Sequence, residues 1–92
     1  MDTYIMFGKY SMEGMKGISA KRTDKAVEII KQNGGEVKST YALLGETDLV
    51  LIVGMPDMGS AMKTSAALAK LLGVSFTTAP AMTAEEFDRL MM

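Results

Sequence analysis

The side chains able to do chemistry in this 92-residue chain are few, because it contains no histidine and no cysteine. That removes the commonest general base, the commonest metal ligand, thiolate nucleophiles and disulfides in one step. Asp, Glu, Tyr, Lys and Arg remain for acid, base or charge-stabilising work. Asp48 is the candidate catalytic residue. It follows a turn at Gly45 and opens the most apolar run of the chain, Leu49-Val50-Leu51-Ile52-Val53, where an ionised group is costly to bury. Desolvation there would raise the carboxyl pKa and suit it to proton transfer near neutrality. The other reading is structural: an Asp just after a glycine turn caps backbone N–H groups.

Arg22 is placed one helical turn after Ile18 and one before Ala26, inside the apolar arc of a helix. Its planar fork suits a carboxylate or other anion held between helix and sheet; otherwise its stem runs out to water or its head pairs with Asp48. Tyr41, with Thr40, Thr77 and Thr78, offers a phenol and hydroxyls to a polar group on a mostly apolar ligand, although Tyr and Thr are also ordinary strand residues. The expected ligand-binding set is therefore Arg22, Tyr41, Asp48 and Thr77, around a pocket between the first long helix and the sheet. Arg22 and Asp48 are expected to approach one another there.

The ten methionines, including Met12, Met15, Met55, Met58 and Met62, read either as soft metal ligands or as adaptable core fillers. Without His or Cys beside them, core filling is the expectation, with Met1, Met91 and Met92 simply terminal. The glycines form no phosphate-cradling motif and the carboxylates are scattered singly, so neither a cofactor nor a metal site is expected.

These residues must be positioned by a short series of elements. Tyr4 to Tyr10 reads as a strand. Ser11 caps a first turn from Glu13 to Gly17, and a stronger helical pattern runs from about Ser19 to Asn33, ended by Gly34-Gly35. In the next strand Val37, Ser39, Tyr41 and Leu43 alternate with Glu36, Lys38, Thr40 and Ala42; a turn at Gly45 leads to a third strand from Asp48 to Gly54. Pro56-Asp57 offers an N-cap to a helix ending at Leu72 and Gly73, Val74 to Met82 gives a fourth strand, and Thr83-Ala84-Glu85-Glu86 fits a capping box. That box opens a short helix whose stripe of Phe87, Leu90 and Met91 is expected to pack on the body of the dimer.

The order βαββαβ predicts a single ferredoxin-like α+β domain over residues 1–92, with a four-stranded antiparallel sheet, both long helices on one face and a short helix at the end. Strands apolar on both sides predict that the helix-free face is covered by a second copy, as a homodimer. Ten Lys and Arg against eleven Asp and Glu, without a block of like charge, point away from nucleic acid. The apolar runs are too short for a membrane helix and the start of the chain has no charged leader, so a cytoplasmic protein is expected.

The whole chain resembles the GYD-domain family, whose members are similar in layout to dimeric α+β barrels. The resemblance is carried by Thr3-Tyr4-Ile5-Met6-Phe7-Gly8-Lys9-Tyr10, by Ser11 with Gly14, by Tyr41 leading to Leu44-Gly45-Glu46-Thr47-Asp48-Leu49-Val50, by Pro56-Asp57 and by Phe76-Thr77-Thr78. Gly45 and Asp48 match the family's Gly-Tyr-Asp element, whereas Thr47 stands where tyrosine is usual, so a pocket shaped by that ring would differ here. The resemblance implies the fold and the dimer and leaves the activity open. The functional expectation is a homodimeric module that binds or senses a small anionic or polar–apolar molecule. A cofactor-independent isomerase, lyase or monooxygenase using the same pocket is the alternative, and a purely structural self-associating domain is the third reading.

Overall fold

The structure, a computed structural model, describes all of residues 1–92. Strand β1 (Asp2–Tyr10) leads through α1 (Met12–Lys16) to α2 (Ala20–Gln32); β2 (Glu36–Ala42) and β3 (Leu49–Met55) follow, then α3 (Met58–Leu72), β4 (Val74–Ala81) and α4 (Ala84–Leu90). Each helix begins where a side chain takes over an orphan amide. Ser11 accepts from the Gly14 N–H, Ser19 from Arg22, Asp57 from Ser60, and Thr83 forms the expected capping box with Glu86. Helix α3 stops at Gly73, whose φ of +65° is left-handed and suits glycine.

All strand pairs are antiparallel in the order β2-β3-β1-β4, the ferredoxin-like arrangement. The period-2 rule then sorts side chains between faces. Tyr4 and Met6 of β1, and Leu49, Leu51, Val53 and Met55 of β3, point at the helices and are buried. They meet Ala26 and Ile30 of α2 and Ala61, Leu68 and Leu72 of α3 in one core. Met6, Ile30, Val53, Met55 and Leu68 are buried to below 2% exposure, each worth roughly 1.5–3 kcal/mol of burial.

The opposite face carries Ile5, Phe7, Val50 and Ile52, and no element of the chain covers it. The molecule is only 19 Å across its thinnest direction, which is the thickness of one sheet and one helix layer. Phe7 remains 40% exposed there.

One expectation about packing needs correction. Of the methionines, only Met6 and Met55 fill the core; Met12, Met15, Met58, Met62 and Met82 are exposed. The core stripe of α3 is narrow, running through Ala61, Thr64, Leu68 and Leu72, and Met62 lies off it while Met58 sits at the open first turn. The stripe of α4 is open in the single chain, which leaves its expected place on a dimer untouched: none of its residues is buried, and Phe87, Leu90 and Met91 are 51%, 65% and 68% exposed.

Candidate functional site

Two of the polar candidates, Asp48 and Arg22, meet at one residue, Tyr10, at the end of β1. Asp48 closes the chain back onto this strand: its amide donates to the Gly8 carbonyl at 2.8 Å, and its Oδ2 accepts the Tyr10 N–H at 2.9 Å. Its own carbonyl takes the Leu43 N–H at 2.8 Å, so the same residue also ties the base of the β2–β3 loop. One carboxylate thus replaces the ladder bond that β3 stops supplying beyond Leu49. A hydrogen bond to an ionised acceptor is about twice as strong as a neutral one. Asp48 is placed as a backbone cap.

Arg22, in the first turn of α2, comes to Tyr10 from the other side. Its guanidinium donates through Nη2 to the Gly14 carbonyl at 2.7 Å, and its central carbon lies 5.8 Å from the centroid of the Tyr10 ring. It also passes close to Gly17, where a Cβ would stand 2.5 Å from Nη1. Arg22 and Asp48 therefore share Tyr10 as a neighbour, one at its ring and one at its amide, and do not form the expected ion pair; the ion pairs of the chain are Lys16–Glu13 and Arg89–Glu85. The reason is local. The carbonyl of Gly14, exposed by the abrupt end of α1, and the amide of Tyr10, exposed by the end of β3, are nearer partners than the two charges are to each other.

Tyr41 and Thr77 are displaced from the expected pocket by strand geometry. β2 pairs Val37 with Val53 but Ser39 with Ile52, a register shift that leaves Lys38 as an extra residue. The bulge breaks the simple alternation: Val37 and Thr40 face the helices, whereas Tyr41 pairs with Val50 on the helix-free face and is 56% exposed. Val50 pairs with Phe7 and Phe7 with Thr77, so Tyr41, Val50, Phe7 and Thr77 form one row across all four strands on that face. Thr78 faces the helices, where its hydroxyl lies 2.7 Å from that of Ser65.

A cavity does lie between α2 and the sheet, with a volume of about 50 Å³. Its wall is mostly apolar, from Ala26, Val27, Ile30, Val37, Leu49 and Leu51, and Tyr10, Thr23 and Thr40 are the hydroxyl-bearing residues of the lining. Of the residues singled out in the sequence, only Thr40 reaches it. Arg22 instead borders a shallow basic groove with Lys21 and Lys25 at the start of α2. Tyr10 had a signal: it shares the parity of Tyr4 and Met6 on β1, which marks it as helix-facing. Thr23 carried none, since it is exposed and its hydroxyl donates to the Ser19 carbonyl at 3.2 Å, an ordinary first-turn bond.

The geometry agrees with what comparison shows. The model of the GYD domain matches residues 4–91. The chain belongs to the GYD-domain family. Among solved structures, the GYD domain is similar to the crystal structure of the Mycobacterium tuberculosis leucine response regulatory protein (LrpA), with a TM-score of 0.59 and 13% sequence identity. The alignment covers 90% of the GYD domain but 51% of that chain, so the domain spans about half the length of the protein it matches. At this identity the likeness is one of fold. A comparison with the curated proteins finds no match. No helix of the domain is long and apolar enough to cross a membrane.

Proposed function

We propose that this GYD domain is a small-molecule binding or sensing module that acts as a homodimer in the cytosol. The observation that carries the reading is the cavity between α2 and the sheet: an apolar wall with the hydroxyl-bearing side chains of Tyr10, Thr23 and Thr40 among its lining residues. Such a lining suits a compact apolar group carrying one hydrogen-bonding substituent. A volume of about 50 Å³ exceeds the ~10–15 Å³ needed for one water and admits a handful of heavy atoms, so the ligand is small or only its side chain enters. An anionic end would lie outside the cavity, past Tyr10, whose ring is the neighbour shared with Arg22; that guanidinium spends one N–H on Gly14 and has others to offer.

The solved structure with the same fold is named for a leucine response, which makes leucine the first probe to try. The homodimer rests on the apolar side chains of Ile5, Phe7, Val50 and Ile52, which stand together on the helix-free face and mark it as a contact surface. The catalytic reading has less support, because the carboxylate of Asp48 already accepts the Tyr10 amide.

The test is native mass spectrometry of protein purified without denaturation, followed by thermal shift with leucine and small branched carboxylates. A bound mass or a ligand-dependent rise in melting temperature that disappears in Val27→Phe, which fills the cavity, is the expected result. Wild type and Val27→Phe responding alike, or no response to any of these probes and no retained mass, would refute the reading.

A further inference from the structure

The last helix of the chain has the local signals it needs to form and little of its own chain to pack on. Its capping box is complete, with the Glu86 N–H donating to the Thr83 hydroxyl at 3.1 Å, and Glu85 and Arg89 pair across one turn at 3.4 Å. Yet α4 makes no more than isolated contacts with the rest of its own chain. A seven-residue helix is far below the ~12–15 residues at which isolated helices become even marginally stable in water. Phe87, Leu90 and Met91 must therefore find cover for α4 to persist.

The open sheet face has the complementary shortfall. Four strands about 4.8 Å apart and roughly seven residues long at ~3.3 Å each present a flat face of only about 450 Å². A specific interface of standard size buries about 800 Å² on each partner. The stripe of α4 supplies much of the difference: three large side chains of roughly 150–200 Å² each, half to two-thirds exposed, hold about 300 Å² more. The two surfaces are also continuous. Ala79 and Ala81 pair with Ile5 and Thr3 on the open face, and Met82 and Phe87 border the groove that begins at Thr3 and Ala81.

We propose that α4 is a dimer clasp: its Phe87-Leu90-Met91 stripe docks on a second copy of this chain and enlarges the sheet-to-sheet interface to the size a stable homodimer requires. The inference rests on the homodimer proposed above. It makes the helix an intermolecular element, ordered by association, and it makes the dimer dependent on side chains remote from the sheet.

The experiment is sedimentation equilibrium of the full chain and of the Phe87→Glu, Leu90→Glu double variant, with Asp88→Asn as a control off the stripe. Melting curves are recorded at several protein concentrations. The expected result is a dimer dissociation constant raised at least ~30-fold in the double variant and within about threefold of wild type in the control, with a melting temperature that falls most at low concentration. A wild-type dimer with the same constant in the double variant overturns the clasp and leaves the homodimer standing. A melting temperature lowered equally at every concentration means that the stripe packs on its own chain, and also overturns it. A wild-type chain that is monomeric throughout overturns the homodimer itself.

Discussion

Removing the carboxylate of Asp48 tests whether this residue is held for its charge in a reaction or for its hold on the backbone. In Asp48→Ala the Tyr10 amide loses its acceptor at 2.9 Å. The amide is only partly buried, so water recovers some of the loss, and a hydrogen bond to a charged acceptor contributes about 1.5–3 kcal/mol. A cost of ~2 kcal/mol corresponds to a fall of roughly 8–16 °C in melting temperature for a domain of this size. Asp48→Asn keeps an oxygen in the same place and trades a charged acceptor for a neutral one, so its cost is about 1 kcal/mol or less. The assay is thermal and urea unfolding of wild type and both variants, with ligand-induced thermal shift measured alongside. The order wild type, Asn, Ala in stability, with ligand response intact in Asn, is the expected outcome. Ala melting within about 2 °C of wild type, or Asn losing the ligand response while remaining as stable as wild type, would refute the capping argument.

Thr64 is fully buried on α3 and its hydroxyl has no partner, so Thr64→Val, nearly isosteric, is expected to hold or raise stability by about 1 kcal/mol; a fall would reveal a bond the hydroxyl makes. Gly14→Ala drives a Cβ into the Gly73 carbonyl, backbone against backbone, and is expected to cost more than the ~1 kcal/mol gained by replacing a helical glycine, read as a net fall in urea midpoint. At Asp57 the backbone and side-chain hydrogen bonds from Ser60 hold the carboxyl below its ordinary value of 3.8. Its folded pKa being depressed, its contribution is present above that value and is lost as pH falls through the folded pKa. Asp57→Asn should therefore flatten the acid limb of stability against pH, and an unchanged limb would count against the cap.

Helix caps, the order of elements and the apolar faces of β1 and β3 were legible because each depends on neighbours in sequence: Ser11 on Gly14, Asp57 on Ser60, Thr83 on Glu86. The site was legible only in part. Glu36 to Leu43 alternates without a break, so nothing in it marks the bulge at Lys38; pairing with β3 decides that register, and the Lys38 ammonium reaches the Thr3 hydroxyl at 2.7 Å only once three strands are assembled. One extra residue exchanges the faces of Tyr41 and Thr40, and with them a phenol for a hydroxyl in the cavity. Arg22 and Asp48 were rightly marked as charges needing partners, but the partners are backbone groups freed by the ends of α1 and β3, which residue types do not encode.

The bulge also explains why the helix-free face and the cavity hold such different chemistry. Had the alternation run on unbroken, Tyr41 would stand beside Val37 against α2, filling the space that Thr40 leaves open, and the outer face would have Thr40 in the row of Val50 and Phe7. A small hydroxyl residue inward leaves room beside Ile30 and Leu51; a large aromatic outward extends an apolar row across the full width of the sheet. The same single-residue shift thus opens the proposed ligand site and strengthens the proposed dimer face. Because Tyr41 and Thr40 are adjacent in β2, the proposed ligand site and the proposed dimer face meet in one strand.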